Sequence, residues 1–130
     1  MEQNQKTETY MSVICRLRES GVVRGTYIAR ELGVTKPTVS VALREMEAAG
    51  YVVIHPNRTV ELTAAGEKIG KTIIERHRVL YGLLTDLGVD KATAEADACR
   101  MAHDISDESL RALRTLRQDL RRPSPEETGA

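Results

Sequence analysis

Apolar residues return every three or four positions along most of this chain, and near its middle the pattern gives way to two short β-like runs. The polar stretch Met1–Lys6 reads as disordered. From Thr7 a helix is expected, with Tyr10, Val13, Ile14 and Leu17 on one stripe and Gly21 as its end. Tyr27, Ile28, Leu32 and Val34 form the apolar side of a shorter helix beginning near Thr26, which Gly33 stops. Thr35 is a good N-cap for the next helix, and Pro37 falls in its first turn, where a missing N–H costs nothing. That helix turns Val39, Ala42, Leu43 and Met46 inward and ends at Gly50, so Thr38, Val41, Arg44 and Glu45 point outward. Tyr51-Val52-Val53-Ile54 and Thr59-Val60-Glu61-Leu62 then read as strands around the turn His55-Pro56-Asn57-Arg58. Helix, short turn, helix and β-hairpin in this order form a winged helix-turn-helix, an arrangement used to read DNA.

Beyond the hairpin the helical period resumes. Thr63 caps a long helix from Ala64 to about Leu87, whose stripe of Ile69, Ile73, Leu80, Leu84 and Leu87 is interrupted by His77. Gly88 breaks it, and Asp90 caps a helix whose Ala92, Ala94, Ala96, Ala98 and Ala102 give it little bulk, so neighbouring backbones can come close. Ser106 caps a last helix with Leu110, Leu113, Leu116 and Leu120, a narrow seam that needs a partner surface. The fold class is therefore mainly α. A winged helix-turn-helix over residues 7–72 precedes a helical dimerisation region over 73–120, and the polar segment 121–130 reads as a disordered tail.

With 41% hydrophobic and 29% charged residues the chain reads as soluble and globular, and without Phe or Trp its core must be aliphatic. It shows neither a basic start followed by an apolar run nor a stretch of about 20 apolar residues, which argues against secretion and membrane spanning. Two cysteines, Cys15 and Cys99, make no disulfide framework and suit a reducing cytoplasm. Cys15 reads as a small buried hydrophobe, since no ligand-type residue stands at helical spacing from it. Net charge is zero, which speaks against binding nucleic acid through bulk charge and for locally placed cations presented by a dimer. Thr26, Lys36, Pro37, Thr38, Ser40, Val41, Arg44 and Arg58 are the candidate DNA-binding residues, with Thr38 and Val41 facing base edges and the cations holding phosphates.

Cys99 and His103 are four residues apart, so both project from one face of the alanine-rich helix. Asp97 and Asp104 flank them, Glu95 stands one turn earlier, and the turn at Gly88 brings His77 alongside. Thiolate, imidazole and carboxylate together suit a divalent transition metal.

The chain also resembles the diphtheria toxin repressor and manganese transport regulator family of metal-dependent repressors. KPTVSVALREMEAAGYVVIHPNRTVELTAAGEKIG is similar to that family's recognition helix, wing and entry to the long helix. ERHRVLYGLLTDLGVD and DACRMAHDISDE are similar to its metal-binding and dimerisation region, and are the more specific match. The resemblance implies the short two-domain form and puts His77, Cys99 and His103 on ligand positions. It also marks departures, with Thr9, Ser12 and Ala102 standing where the family offers further ligands, so Glu8, Asp97 or Asp104 is a candidate replacement.

The expected function is that of a cytoplasmic, homodimeric transcriptional regulator, acting as a repressor at a palindromic operator in double-stranded DNA and set by Fe2+, Mn2+, Zn2+, Co2+ or Ni2+. A cysteine ligand favours iron, zinc, cobalt or nickel over manganese. The alternative keeps the DNA binding with a degenerate metal site, constitutive or thiol-responsive. A protein-interaction adaptor is a further class, opposed by Arg58 at the wing tip and by Thr38 and Val41 on the recognition face. An enzyme is not expected, because no phosphate loop and no nucleophile with a paired base can be found.

Overall fold

The computed structural model describes residues 2–123, with side chains from Gln5 onward. The expected tail beyond residue 123 lies outside the described residues, as does Met1. The chain divides into two compact units between Ile74 and Glu75.

The first unit opens with α1 (Glu2–Leu17), tightened at its end into a 3₁₀ turn over Arg18–Ser20. Helix begins at Glu2, not Thr7, because Glu, Gln and Lys are good helix formers and nothing in the stretch breaks them. After β1 (Val23–Arg24) come α2 (Gly25–Leu32), α3 (Lys36–Ala48), β2 (Val52–Ile54) and β3 (Thr59–Leu62). Thr35 caps α3 by accepting from the Thr38 N–H, and Gly33 takes the left-handed conformation (φ 68°) that ends α2. The sheet is antiparallel in the order β1-β3-β2, with Val23 opposite Val60 and Val53 opposite Glu61.

Met11, Val13, Ile14, Ile28, Val39, Ala42, Leu43, Met46, Val52 and Val60 form this unit's core. Tyr27 and Val34, expected inside, are 38% and 41% exposed, and buried Ala29 takes the inner face of α2. One long helix, α4 (Ala64–Asp86), starts in this unit, and Thr63 caps it by accepting from the Gly66 N–H. Gly66 and Gly70 let its first turns approach closely. A β-carbon on Gly66 would overlap the Tyr51 carbonyl, and one on Gly70 would lie 2.6 Å from the Met11 carbonyl and against the Cys15 sulfur. Cys15 is buried as its neighbours require, and burial pushes its thiol pKa up. Glu67 takes a 3.1 Å hydrogen bond from Arg18 and a 2.6 Å contact from Lys71, which hold its carboxyl down to about 2.

In the second unit α4 is followed by α5 (Lys91–Asp104) and α6 (Asp107–Arg121), capped by the side chains of Asp90 and Ser106. Its core is Val79, Leu80, Ala98, Ala102 and Leu110. Ala94, Ala98 and Ala102 are spaced one turn apart and wholly covered. Arg76 ties all three helices, donating to the Ala102 carbonyl (3.2 Å) and to Asp107 (2.8 Å). Arg114 reaches Glu75 and Arg117 reaches Asp86, so α6 is pinned to α4 at two levels. Leu87, expected on the buried stripe, is 61% exposed because α4 ends beside it. Only part of the leucine seam is covered, since Leu110 is buried while Leu116 and Leu120 are 45% and 51% exposed.

Candidate functional site

The helical period that buries Val39, Ala42, Leu43 and Met46 leaves the opposite face of α3 to solvent. There Pro37, Thr38, Ser40, Val41 and Arg44 are all exposed, and the Thr38 hydroxyl lies 2.8 Å from that of Thr35. Between α3, the start of α2 and the hairpin is a cleft of about 580 Å3 whose wall includes Arg24, Thr26, Lys36, Ser40, Arg44 and Arg58. Among the described residues Lys36, Arg44 and Arg58 have no ion-pair partner. Both acids of α3 are committed elsewhere: Glu45 pairs with Lys6 at 3.8 Å, and Glu47 accepts from the Ile54 N–H at 2.7 Å. A chain with no net charge thus presents one locally positive cleft beside a helix face of small polar and apolar groups. Arg24 and Gly25 join this wall although neither is among the DNA-binding candidates named from the sequence. Their place depends on β1, which pairs only with a strand more than thirty residues away.

The second unit gathers a different chemistry. His77 on α4 and Glu95 and Cys99 on α5 bring a nitrogen, an oxygen and a sulfur within 4.8 Å of one another. His77 Nε2 lies 3.1 Å from Glu95 Oε2, and the Cys99 thiol donates to Glu95 Oε1 at 3.6 Å. The His77 ring stacks on Tyr81 at 5.9 Å and 8°, which fixes its plane. Its Nε2 is shielded from solvent, and although Glu95 is close, the angle does not make a hydrogen bond. A covered imidazole nitrogen left without a hydrogen bond, facing a carboxylate and a thiol, fits a divalent transition metal.

His103 is half-buried one turn beyond Cys99 and is not one of these three. Asp97 is turned to Arg100 at 2.7 Å, Asp104 is exposed at the end of α5, and Glu8 lines a small cleft with Lys6, Glu45 and Tyr51. The Thr9 and Ser12 hydroxyls donate to carbonyls of their own helix, those of Gln5 and Thr9. Sequence reading noted Glu95 without giving it a role. Its signal was the four-residue spacing to Cys99, which puts both on one face of α5.

Residues 3–60 match the model of the iron-dependent repressor N-terminal DNA-binding domain, and residues 63–127 that of the iron-dependent repressor metal-binding and dimerisation domain. The chain belongs to the iron-dependent repressor family. Among its relatives within or near this family, the transcriptional regulator MntR of Escherichia coli O6:H1 is 38% identical over 112 residues, covering 85% of this chain and 72% of that protein. The diphtheria toxin repressor of Corynebacterium glutamicum is 36% identical over 118 residues, covering 89% of this chain and 52% of that one. A manganese-dependent transcriptional repressor solved with manganese superposes with a TM-score of 0.77 at 25% identity, covering 86% of this chain and 52% of the other. The chain thus spans about half the length of the last two. Among the described residues no helix is long and apolar enough to cross a membrane.

Proposed function

We propose that this iron-dependent repressor family member is a metal-dependent transcriptional repressor acting in the cytoplasm, with no catalytic role, and that it binds a palindromic operator as a homodimer. The observation that carries this reading is the His77, Glu95 and Cys99 trio, with its unbonded imidazole nitrogen, in a chain that also carries a cleft of unpaired cations. His77, Glu95 and Cys99 serve as ligands, and His103 or water completes a tetrahedral set. When bound, a divalent ion supplies the charge that holds these donors together across α4 and α5. With sulfur in the set and no carboxylate offered by Thr9, Ser12 or Ala102, iron, zinc, cobalt or nickel is preferred to manganese. The metal acts as a switch if it binds the DNA-competent arrangement more tightly, by about 1–3 kcal/mol in couplings of this kind.

The exposed Leu116 and Leu120 are the surface on which a second copy docks, and two-fold symmetry then calls for half-sites one or more helical turns apart. Val41 and Thr38 read base edges in the major groove, while Lys36, Arg44 and the amides at the start of α2 hold phosphates. A duplex selected by the parent chain from a randomised library in cobalt(II) tests these roles. Val41→Gln should change which duplexes are enriched, by roughly tenfold at one position of each half-site. Arg44→Ala should weaken all duplexes alike and lower the salt slope by about 0.9 per reading head. Enrichment and affinity unchanged in both variants would rule out α3 as the reading helix.

A further inference from the structure

The wing tip holds a residue in a conformation that its side chain does not favour. Arg58 lies at φ 69°, and it is the one non-glycine residue with positive φ among those described. Asparagine and aspartate are the usual non-glycine occupants of this region, and Asn57 stands next door. An outlier of this kind persists only where its surroundings over-determine it. Here they do. The Arg58 N–H donates to the His55 carbonyl (2.8 Å), and the His55 N–H to the Thr59 carbonyl (2.9 Å). Asn57 Oδ1 accepts from both the N–H (3.1 Å) and the hydroxyl (2.7 Å) of Thr59. At the turn end of β2 Glu47, on α3, accepts the Ile54 N–H and ties the wing to the reading helix.

One bond in this set comes from outside the hairpin and α3. Arg24 Nη1, on β1, donates to the Asn57 carbonyl at 3.0 Å. That carbonyl belongs to the peptide that leads into Arg58, so the bond fixes the orientation of the strained residue's own backbone. Both arginines line the same cleft as Lys36 and Arg44. Two like charges thus line one cleft, one spending a donor on the backbone that presents the other.

We propose that Arg24 is a positioning residue: by clasping the Asn57 carbonyl it holds the wing tip in one conformation, so that Arg58 meets the DNA backbone already ordered. This rests on the DNA-binding reading above. Arg24 acts through Arg58, and the pair therefore counts as one contact to DNA rather than two.

The test is a double-mutant cycle in the whole chain with cobalt(II), using the duplex selected by the parent. Arg24→Ala and Arg58→Ala are each expected to weaken binding about tenfold and to lower the salt slope by about 0.9 per reading head. The double variant should do little more than either alone. Asn57→Ala, which removes the turn's internal acceptor and no charge, should weaken binding in the same direction. Amide relaxation without DNA gives a second readout. The order parameter at Arg58 should be near 0.85 in the parent and fall below about 0.6 in Arg24→Ala, with α3 unchanged. A double variant about a hundredfold weaker with twice the slope change, together with an undisturbed wing, would overturn the proposal and make Arg24 an independent phosphate contact. Arg58→Ala without effect on binding would overturn it too. In that case Arg44→Ala still reports separately on whether α3 meets DNA.

Discussion

Cys99→Ser is expected to lose metal affinity by well over the roughly 10- to 100-fold that removal of a merely supporting residue costs. The sulfur is the donor that distinguishes this site from one of nitrogen and oxygen alone, and it approaches Glu95 on the same face of α5. Cobalt(II) makes the prediction visible, because a thiolate ligand gives an intense charge-transfer band that serine cannot. His77→Ala should remove most of the affinity while leaving that band's chemistry possible at high cobalt. Glu95→Gln should weaken binding less than His77→Ala does, because its amide oxygen can still reach the ion without the charge. Cys15 does not confuse the readout, since it is buried with a thiol pKa pushed up, and so it is a poor source of thiolate. A parental band in Cys99→Ser would remove Cys99 from the site.

A second large effect is structural. Gly66→Ala and Gly70→Ala each add one methyl group to α4, and helix propensity alone would make both stabilising by up to about 1 kcal/mol. Overlap reverses the sign. At Gly66 the methyl meets the Tyr51 carbonyl and at Gly70 the Met11 carbonyl, both backbone atoms that cannot swing away. Overpacking of this kind costs about 1–3 kcal/mol and sometimes more, so each variant should lower the denaturation midpoint. Gly82→Ala is the control. The three atoms nearest its methyl all belong to the guanidinium of Arg117, the far end of a flexible side chain, and it should be close to neutral. A midpoint raised by Gly66→Ala would contradict the close approach of α4 to Tyr51.

Where the chain carries its own local instructions, the sequence was sufficient. The Thr35 cap, the first-turn Pro37 and the spacing of Val39, Ala42, Leu43 and Met46 place α3 and its exposed reading face without any tertiary knowledge. The caps at Asp90 and Ser106 do the same for α5 and α6. What could not be read depends on partners distant in sequence. β1 is two residues long and exists only because β3 offers it a ladder, so Val23 and Arg24 gave no alternating signal. Tyr27, Val34 and Leu87 are apolar at plausible positions, yet Val34 and Leu87 lie beyond the ends of α2 and α4, and Ile28 and Ala29 take the inner face of α2 in place of Tyr27. The turn at His55-Pro56-Asn57-Arg58 was legible from composition. That Arg58 takes the left-handed place follows from bonds to His55, Thr59 and Arg24, which no local pattern records. Likewise Glu95 is one of many exposed acids until folding puts His77 3.1 Å away.

If metal at the site on α4 and α5 controls the affinity of α3 and the wing for DNA, fluorescence anisotropy of the selected duplex will show it, titrated with the parent chain in cobalt(II) and again in excess chelator. Chelator is expected to weaken binding by about 5- to 150-fold, the range of typical allosteric couplings, and Cys99→Ser to bind weakly under both conditions. Linkage requires the same factor in reverse, with the duplex tightening cobalt binding to the parent. Equal DNA affinity with metal and with chelator would mean that the site on α4 and α5 does not control DNA binding.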